Sequence, residues 1–271
     1  MTQIAFIGGG NMATAIIGGL LRQGDVSAQM VQVSDPGEQQ RQKLEADFGI
    51  QTFASNLDAI ANADTVIMAV KPQMMKEVLA PLQATLANRQ PLLVSIAAGI
   101  SIENLEAWSG CQSVVRCMPN TPALVGAGAN GLFANDAVTV DQRNAADRLM
   151  QATGVTVWVK EEAELDIVTA LSGSGPAYYF LLMEAMINSA KSMGLSEETA
   201  TSLALQTAFG AGKMAIEADV GPAELRRRVT SPNGTTERAI FTFEGAHLRD
   251  IVSAAMEAAR KRSEELNKEL G

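Results

Sequence analysis

Four segments of this chain combine residue types that can do chemistry. The first is Gly8-Gly9-Gly10-Asn11-Met12-Ala13, which fits the spacing G-x-G-x-x-A. In that pattern Gly8 permits a tight turn, Gly10 lets the backbone approach a ligand, and Ala13 keeps the following helix close to the preceding strand. Free N–H groups at that helix start suit a diphosphate. A glycine turn with no ligand is the plain alternative. The context argues against it, because the motif follows the apolar run Ile4–Ile7 and opens the helical pattern Asn11–Gln23. Gly8, Gly10, Asn11 and Met12 are therefore candidate contacts for the pyrophosphate of a dinucleotide.

Asp35 ends the next apolar run, where an acid bonds ribose hydroxyls. It is equally suited to capping the turn before Pro36. Ser34 and Arg41 could instead serve a ribose 2′-phosphate, so NADPH and NADH both stay open. Val70-Lys71-Pro72 and Ser95-Ile96-Ala97-Ala98-Gly99 close two further apolar runs. Strand ends on that edge are where doubly wound sheets bind ligands. Val70, Lys71, Pro72, Ala97, Ala98 and Gly99 thus join Ser34 and Asp35 as cofactor candidates, although a strand-end lysine is more often merely solvated.

Three more segments stand out: Arg116-Cys117-Met118-Pro119-Asn120-Thr121-Pro122, Ser172-Gly173-Ser174-Gly175-Pro176-Ala177-Tyr178, and Val229-Thr230-Ser231-Pro232-Asn233-Gly234-Thr235-Thr236. Asn120 and Thr121 follow a strand, in position for the reactive end of a cofactor or for a substrate. Ser174 and Gly175 precede Pro176, a good first helical residue, and glycines there allow close approach. In the last segment Pro232 and Asn233-Gly234 make a turn, and a helix follows whose N–H groups suit a carboxylate. The Ser231, Thr235 and Thr236 hydroxyls add donors. An ordinary capping box with Glu237 is the competing reading.

The rest of the chain limits the alternatives. His247 is the sole histidine, and Cys111 and Cys117 are the sole cysteines, so neither a metal cluster nor a Ser-His-Asp triad is expected. The two thiols read as packing residues. Net charge is −9, which disfavours nucleic acid and anionic lipid as partners. No apolar run is long enough to span a bilayer, and a cytoplasmic location is expected.

The elements that must hold these residues fall into two textures. Apolar runs at Ile4–Ile7, Met30–Ser34, Thr65–Val70, Leu92–Ile96 and Val114–Cys117 alternate with helical stretches such as Glu38–Asp47. That alternation implies an α/β Rossmann-like domain with a doubly wound, mostly parallel sheet. Val125–Phe133 and Val155–Val159 read as late strands, candidates for antiparallel pairing, separated by the helix Gln142–Ala152. Beyond Lys160 strand signals stop, and Ala163–Leu171, Pro176–Met193, Glu197–Ala218, Ala223–Val229, Thr235–Phe243 and His247–Leu270 read as helices. The expected division is residues 1–160 as the dinucleotide-binding domain and 161–271 as an all-α domain. Glu197–Ala218 is apolar or small nearly all round and must be buried, against its own bundle or a second subunit.

Taken together, the glycine fingerprint and the three later segments resemble the pyrroline-5-carboxylate reductase family over essentially the whole chain. The stretch from Val229 to Thr236 is the most specific part. Asn233 departs from the glycine usual there, and Asn is the next-best residue for a left-handed backbone. The resemblance implies a helical dimerisation domain and a homodimer, often built into a larger ring such as a decamer. It implies hydride transfer from NADPH, or less often NADH, to the imine carbon of 1-pyrroline-5-carboxylate, giving L-proline. It also assigns Thr236 to the ring nitrogen as the catalytic residue, and leaves Ser231, Asn233, Gly234, Thr235, Ser174 and Gly175 to bind substrate. A β-hydroxyacid dehydrogenase shares the two-domain plan but needs a lysine acid–base on its first long C-terminal helix. Tyr178–Asn188 contains none, and Lys191 comes late.

Overall fold

A computed structural model describes residues 3–24 and 26–270. Its strands are β1 (Ile4–Ile7), β2 (Val31–Ser34), β3 (Gln51–Phe53), β4 (Thr65–Met68), β5 (Leu92–Ser95), β6 (Val114–Met118), β7 (Gly128–Ala134) and β8 (Gly154–Trp158). They form one sheet in the order β3-β2-β1-β4-β5-β6-β7-β8. Every pairing from β3 to β6 is parallel. β7 then runs antiparallel to β6, and β8 parallel to β7. The chain order reverses at β1, between β2 and β4, so the ligand crevice of a doubly wound sheet lies at the carboxyl ends of these strands.

The unalternating apolar runs are explained by burial on both faces, since β1, β4 and β5 are buried at every position. Ile4 and Phe6 enter one core with Ile16, Ile17 and Val33, while Ala5 and Ile7 enter the other with Met68, Met75 and Leu79. The helices covering these faces are α1 (Asn11–Gln23), α2 (Glu38–Phe48), α3 (Asn56–Ile60), α4 (Met75–Leu79), α5 (Gln83–Arg89), α6 (Ile102–Ser109) and α7 (Val140–Gln151).

Two strand expectations shift. β3 has no counterpart in the sequence reading, because it is three residues long and only partly buried. The expected strand Val125–Phe133 begins instead at Gly128, since Thr121–Val125 winds into a 3₁₀ turn that Gly126 closes at φ 72°.

The later helices are α8 (Glu164–Val168), α9 (Gly175–Ser192), α10 (Glu197–Glu217), α11 (Pro222–Arg228), α12 (Thr235–Gly245) and α13 (Leu248–Leu270). The expected helix Ala163–Leu171 widens into a π turn at Thr169–Gly173, where the Ser174 N–H donates to the Thr169 carbonyl at 2.8 Å. His247 stands outside α13 at φ 57°, and its carbonyl accepts the Ile251 N–H.

Residues Gly175–Ala258 form one compact unit, and the remainder of the chain, including the end of α13, forms the other. Within the helical unit, α10 buries only Ala200 and leaves Leu203, Leu205, Phe209 and Met214 exposed.

Candidate active site

The glycine loop is shaped by two different demands. Gly8 has φ +99°, and a Cβ there would lie 2.7 Å from the Ala69 carbonyl oxygen. Its N–H donates to the Ser34 carbonyl at 2.8 Å. Gly8 is therefore required by the protein itself. Gly10 has an ordinary φ of −68°, and a Cβ there would meet no atom within 4 Å. Gly10 also caps α1 without any side-chain hydrogen bond. Asn11 is exposed, Met12 half-buried and Ala13 buried. The result is a helix start with open space before it and no side chain on its first N–H groups, which fits a pyrophosphate.

Asp35 turns out to brace this loop. Its Oδ2 accepts the Gly9 N–H at 2.9 Å, and its Oδ1 accepts the Gly37 N–H at 2.8 Å. The cap reading of Asp35 holds through Oδ1, and Oδ2 adds a tie to the glycine loop that the sequence did not announce. The Gln40 side-chain amide donates to the Gly9 carbonyl from the other side. Nothing in the sequence marked Gln40. Arg41 Nη1 donates to the Asp35 carbonyl at 2.7 Å. Ser34 corrects one expectation: its side chain is fully buried, near the Phe6 carbonyl at 3.4 Å, so its hydroxyl does not face the crevice. Only its backbone serves the loop.

At the ends of β4 and β5, Val70 packs its Cγ1 beside Gly8, Lys71 is exposed, and Pro72 opens a 3₁₀ turn. Ala97 and Gly99 are buried, and Ala98 is half-buried. Beyond β6, Asn120 is buried and both ends of its amide are occupied. Nδ2 donates to the Ser172 carbonyl at 3.0 Å, and Oδ1 accepts the Ala129 N–H at 2.9 Å. Asn120 therefore holds the π turn that leads to Ser174 and Gly175. Thr121 beside it is exposed. Gly173 packs tightly against the Met118 methyl group, where a Cβ would come within 2.5 Å.

The second cluster belongs to the helical unit. Asn233 adopts φ 58°, the left-handed backbone expected of it. Its N–H donates to Glu237 Oε2 at 2.8 Å, and the Gly234 N–H donates to the Ser231 carbonyl at 3.0 Å. Gly234 caps α12 with no side-chain hydrogen bond. The threonine capping box is thereby replaced: Glu237 reaches back, while neither Thr235 nor Thr236 caps the helix. Thr236 is half-buried; Ser231 and Thr235 are exposed. This turn collects free helix-start N–H groups and hydroxyl donors, a good seat for a carboxylate beside a hydrogen-bonding nitrogen.

Neither cysteine offers a nucleophile. Burial pushes both thiols above their ordinary range, most strongly at Cys117. Among the described residues no His, Cys, Asp or Glu group is arranged to hold a metal, and no helix is long and apolar enough to cross a membrane.

A doubly wound sheet with a glycine loop at its switch point, followed by a helical unit whose helix start at Thr235 has no side-chain cap, defines an NAD(P)-dependent oxidoreductase. Residues 3–99 match the family described as NADP oxidoreductase, coenzyme F420-dependent, and residues 162–266 match pyrroline-5-carboxylate reductase dimerisation. The chain is 53% identical to the pyrroline-5-carboxylate reductase of Pseudomonas aeruginosa, covering 99% of this chain and 98% of that one. It is 46% identical to the Haemophilus influenzae enzyme, covering 97% of each. The Coxiella burnetii pyrroline-5-carboxylate reductase structure superposes with a TM-score of 0.93 at 42% identity, covering 98% of both chains. The Plasmodium falciparum pyrroline carboxylate reductase, solved with NADP bound, superposes at 0.86 with 29% identity, again covering 98% of both. The chain belongs to the pyrroline-5-carboxylate reductase family.

Proposed function

We propose that this chain reduces 1-pyrroline-5-carboxylate to L-proline, the last step of proline synthesis, with NADPH as the preferred cofactor and NADH as the alternative. The observation that carries this reading is the uncapped start of α12, where Thr235 and Thr236 are left free beside a left-handed Asn233. Turnover of 1-pyrroline-5-carboxylate, compared with NADPH and with NADH, tests it. No turnover with either cofactor overturns it.

The cofactor would be held by the N–H groups of Asn11 and Met12 past Gly10, with Val70, Lys71, Pro72, Ala97, Ala98, Gly99 and Thr121 along the same sheet edge. Asp35 and Asn120 fix the loops that bear them. When bound, NADPH supplies a hydride to the imine carbon. The free N–H groups of Thr235 and Thr236 at the start of α12, with the Ser231 and Thr235 hydroxyls, hold the substrate carboxylate. The Thr236 hydroxyl donates to the ring nitrogen. A hydroxyl is too weak an acid to protonate that nitrogen outright, so Thr236 orients a substrate that arrives protonated or relays a proton from water. The C=N π pair ends on nitrogen as the hydride bonds to carbon, giving the secondary amine. Ser174 and Gly175 provide close approach at a second helix start.

The dimerisation match to residues 162–266 supports residues 161–271 as the dimerisation and substrate domain and residues 1–160 as the dinucleotide-binding domain, while the compact units divide later, after Ser174, and return the chain from Ala259 on to the sheet. The exposed apolar residues of α10 fit a homodimer, and a ring of dimers such as a decamer is the larger assembly proposed. The cytoplasm is the proposed location.

A further inference from the structure

The loop Ala97–Gly99 is gripped by residues far away in the sequence. Gly99 stands at φ +73°, and a Cβ there would lie 3.2 Å from Leu266 Cβ and 3.4 Å from Leu270 Cδ1. Leu270 also packs on the core cluster that contains Ala97 and Ile100. The last turns of α13 are themselves anchored. The buried Asp166 carboxylate accepts Ser263 Oγ at 2.6 Å and Asn267 Nδ2 at 3.0 Å through the same oxygen. At the far end of the loop, Glu162 Oε1 accepts the Ile102 N–H at 2.7 Å and pairs with Arg116 at 2.6 Å. Residues 259 onward group with the sheet rather than with the helices before them. The loop is thus held from behind and at its exit by residues beyond 160.

We propose that Leu266 and Leu270 on α13, with Glu162, are positioning residues for the nicotinamide half of the cofactor. This rests on the reading of Ala97–Gly99 as a cofactor loop. In the sheet order β2-β1-β4-β5, the adenosine ribose falls to the β2 end and the pyrophosphate to the β1 turn. The β5 loop therefore meets the other half of the dinucleotide. A buried loop whose backbone is covered by leucines keeps one shape, and a ligand that needs that shape binds without first ordering it.

The test separates the two halves of the ligand. Leu266→Ala and Leu270→Ala, in the full-length enzyme, are titrated with NADPH by fluorescence and with 2′,5′-ADP, which carries only the adenosine half, by calorimetry. NADPH affinity is expected to fall roughly fivefold or more, within the range by which residues outside a site bias its affinity. 2′,5′-ADP affinity should stay at the wild-type value, and Leu266→Met should restore NADPH binding. Leu270 lies at the helix end, so its variant keeps the test alive if Leu266→Ala fails to fold. Unchanged NADPH affinity in the folded variants overturns the proposal. Equal weakening of both ligands also overturns it, since that is general loosening. If wild-type enzyme binds neither ligand, the cofactor reading itself has failed.

Discussion

Asp35 Oδ2 accepts the Gly9 N–H at 2.9 Å, so the carboxylate that ends β2 is tied directly to the glycine loop that ends β1. Its other oxygen takes the Gly37 N–H, and Gln40 holds the Gly9 carbonyl. An acid at a position suited to a ribose is here engaged in shaping the glycine loop. Asp35→Ala is expected to leave two backbone donors without acceptors, costing about 1–3 kcal/mol of stability and weakening NADPH and NADH alike. Thermal unfolding and fluorescence titration measure both. A variant that shifts cofactor preference without loss of stability would return Asp35 to a plain ribose contact.

Gly8 and Gly10 should respond differently. Gly10→Val places its side chain in open space at an allowed φ, so unfolding should be close to wild type while NADPH affinity collapses. Gly8→Ala forces a Cβ against Ala69 at φ +99° and should cost at least about 1–2 kcal/mol from backbone strain alone. Melting curves and cofactor titrations of the pair decide this, and undiminished NADPH binding by Gly10→Val would remove the pyrophosphate from that position.

Thr236→Ala should lower kcat by roughly one to two decades, because a hydrogen bond to a charged partner is worth about 1.5–3 kcal/mol. NADPH affinity should not change. Thr236→Ser restores the donor and should recover much of the rate. Wild-type kcat and KM in Thr236→Ala would reduce this turn to a helix cap.

The dimerisation match and the exposed α10 lead us to expect an obligate dimer. Sedimentation at low micromolar concentration should give no monomer. A folded, stable monomer is the contrary result.

Cys111 and Cys117 should resist alkylation in the native enzyme and react only on unfolding. Burial raises both above the ordinary thiol value of 9.0. Above that pH the unfolded chain releases these protons while the folded chain keeps them, so stability falls as pH rises, by at most about 1.4 kcal/mol per pH unit for each thiol. Below that pH these groups leave stability unchanged. Denaturant midpoints across pH 8–10 check the sign.

Much of this protein is legible in its sequence because the signals are local. Apolar runs buried on both faces mark β1 to the residue and the starts of β4 and β5, which end two residues and one residue earlier than read, and Ser196 with Glu197 and Glu198 marks the start of α10. The G-x-G-x-x-A spacing carries its own mechanism, as does an asparagine poised for φ 58° at position 233. Tertiary structure decided what depends on partners distant in the chain. The Asp35 cap on Gly37 is legible, but no local pattern could show that its other oxygen accepts the Gly9 N–H, that the Ser34 hydroxyl points inward, or that the Asn120 amide bonds Ser172 and Ala129. Nor could it show that Leu266, far along the sequence, lies against the left-handed Gly99. Local propensity and hydrophobic period are written over a few residues, but a buried polar group takes whichever partner the fold delivers.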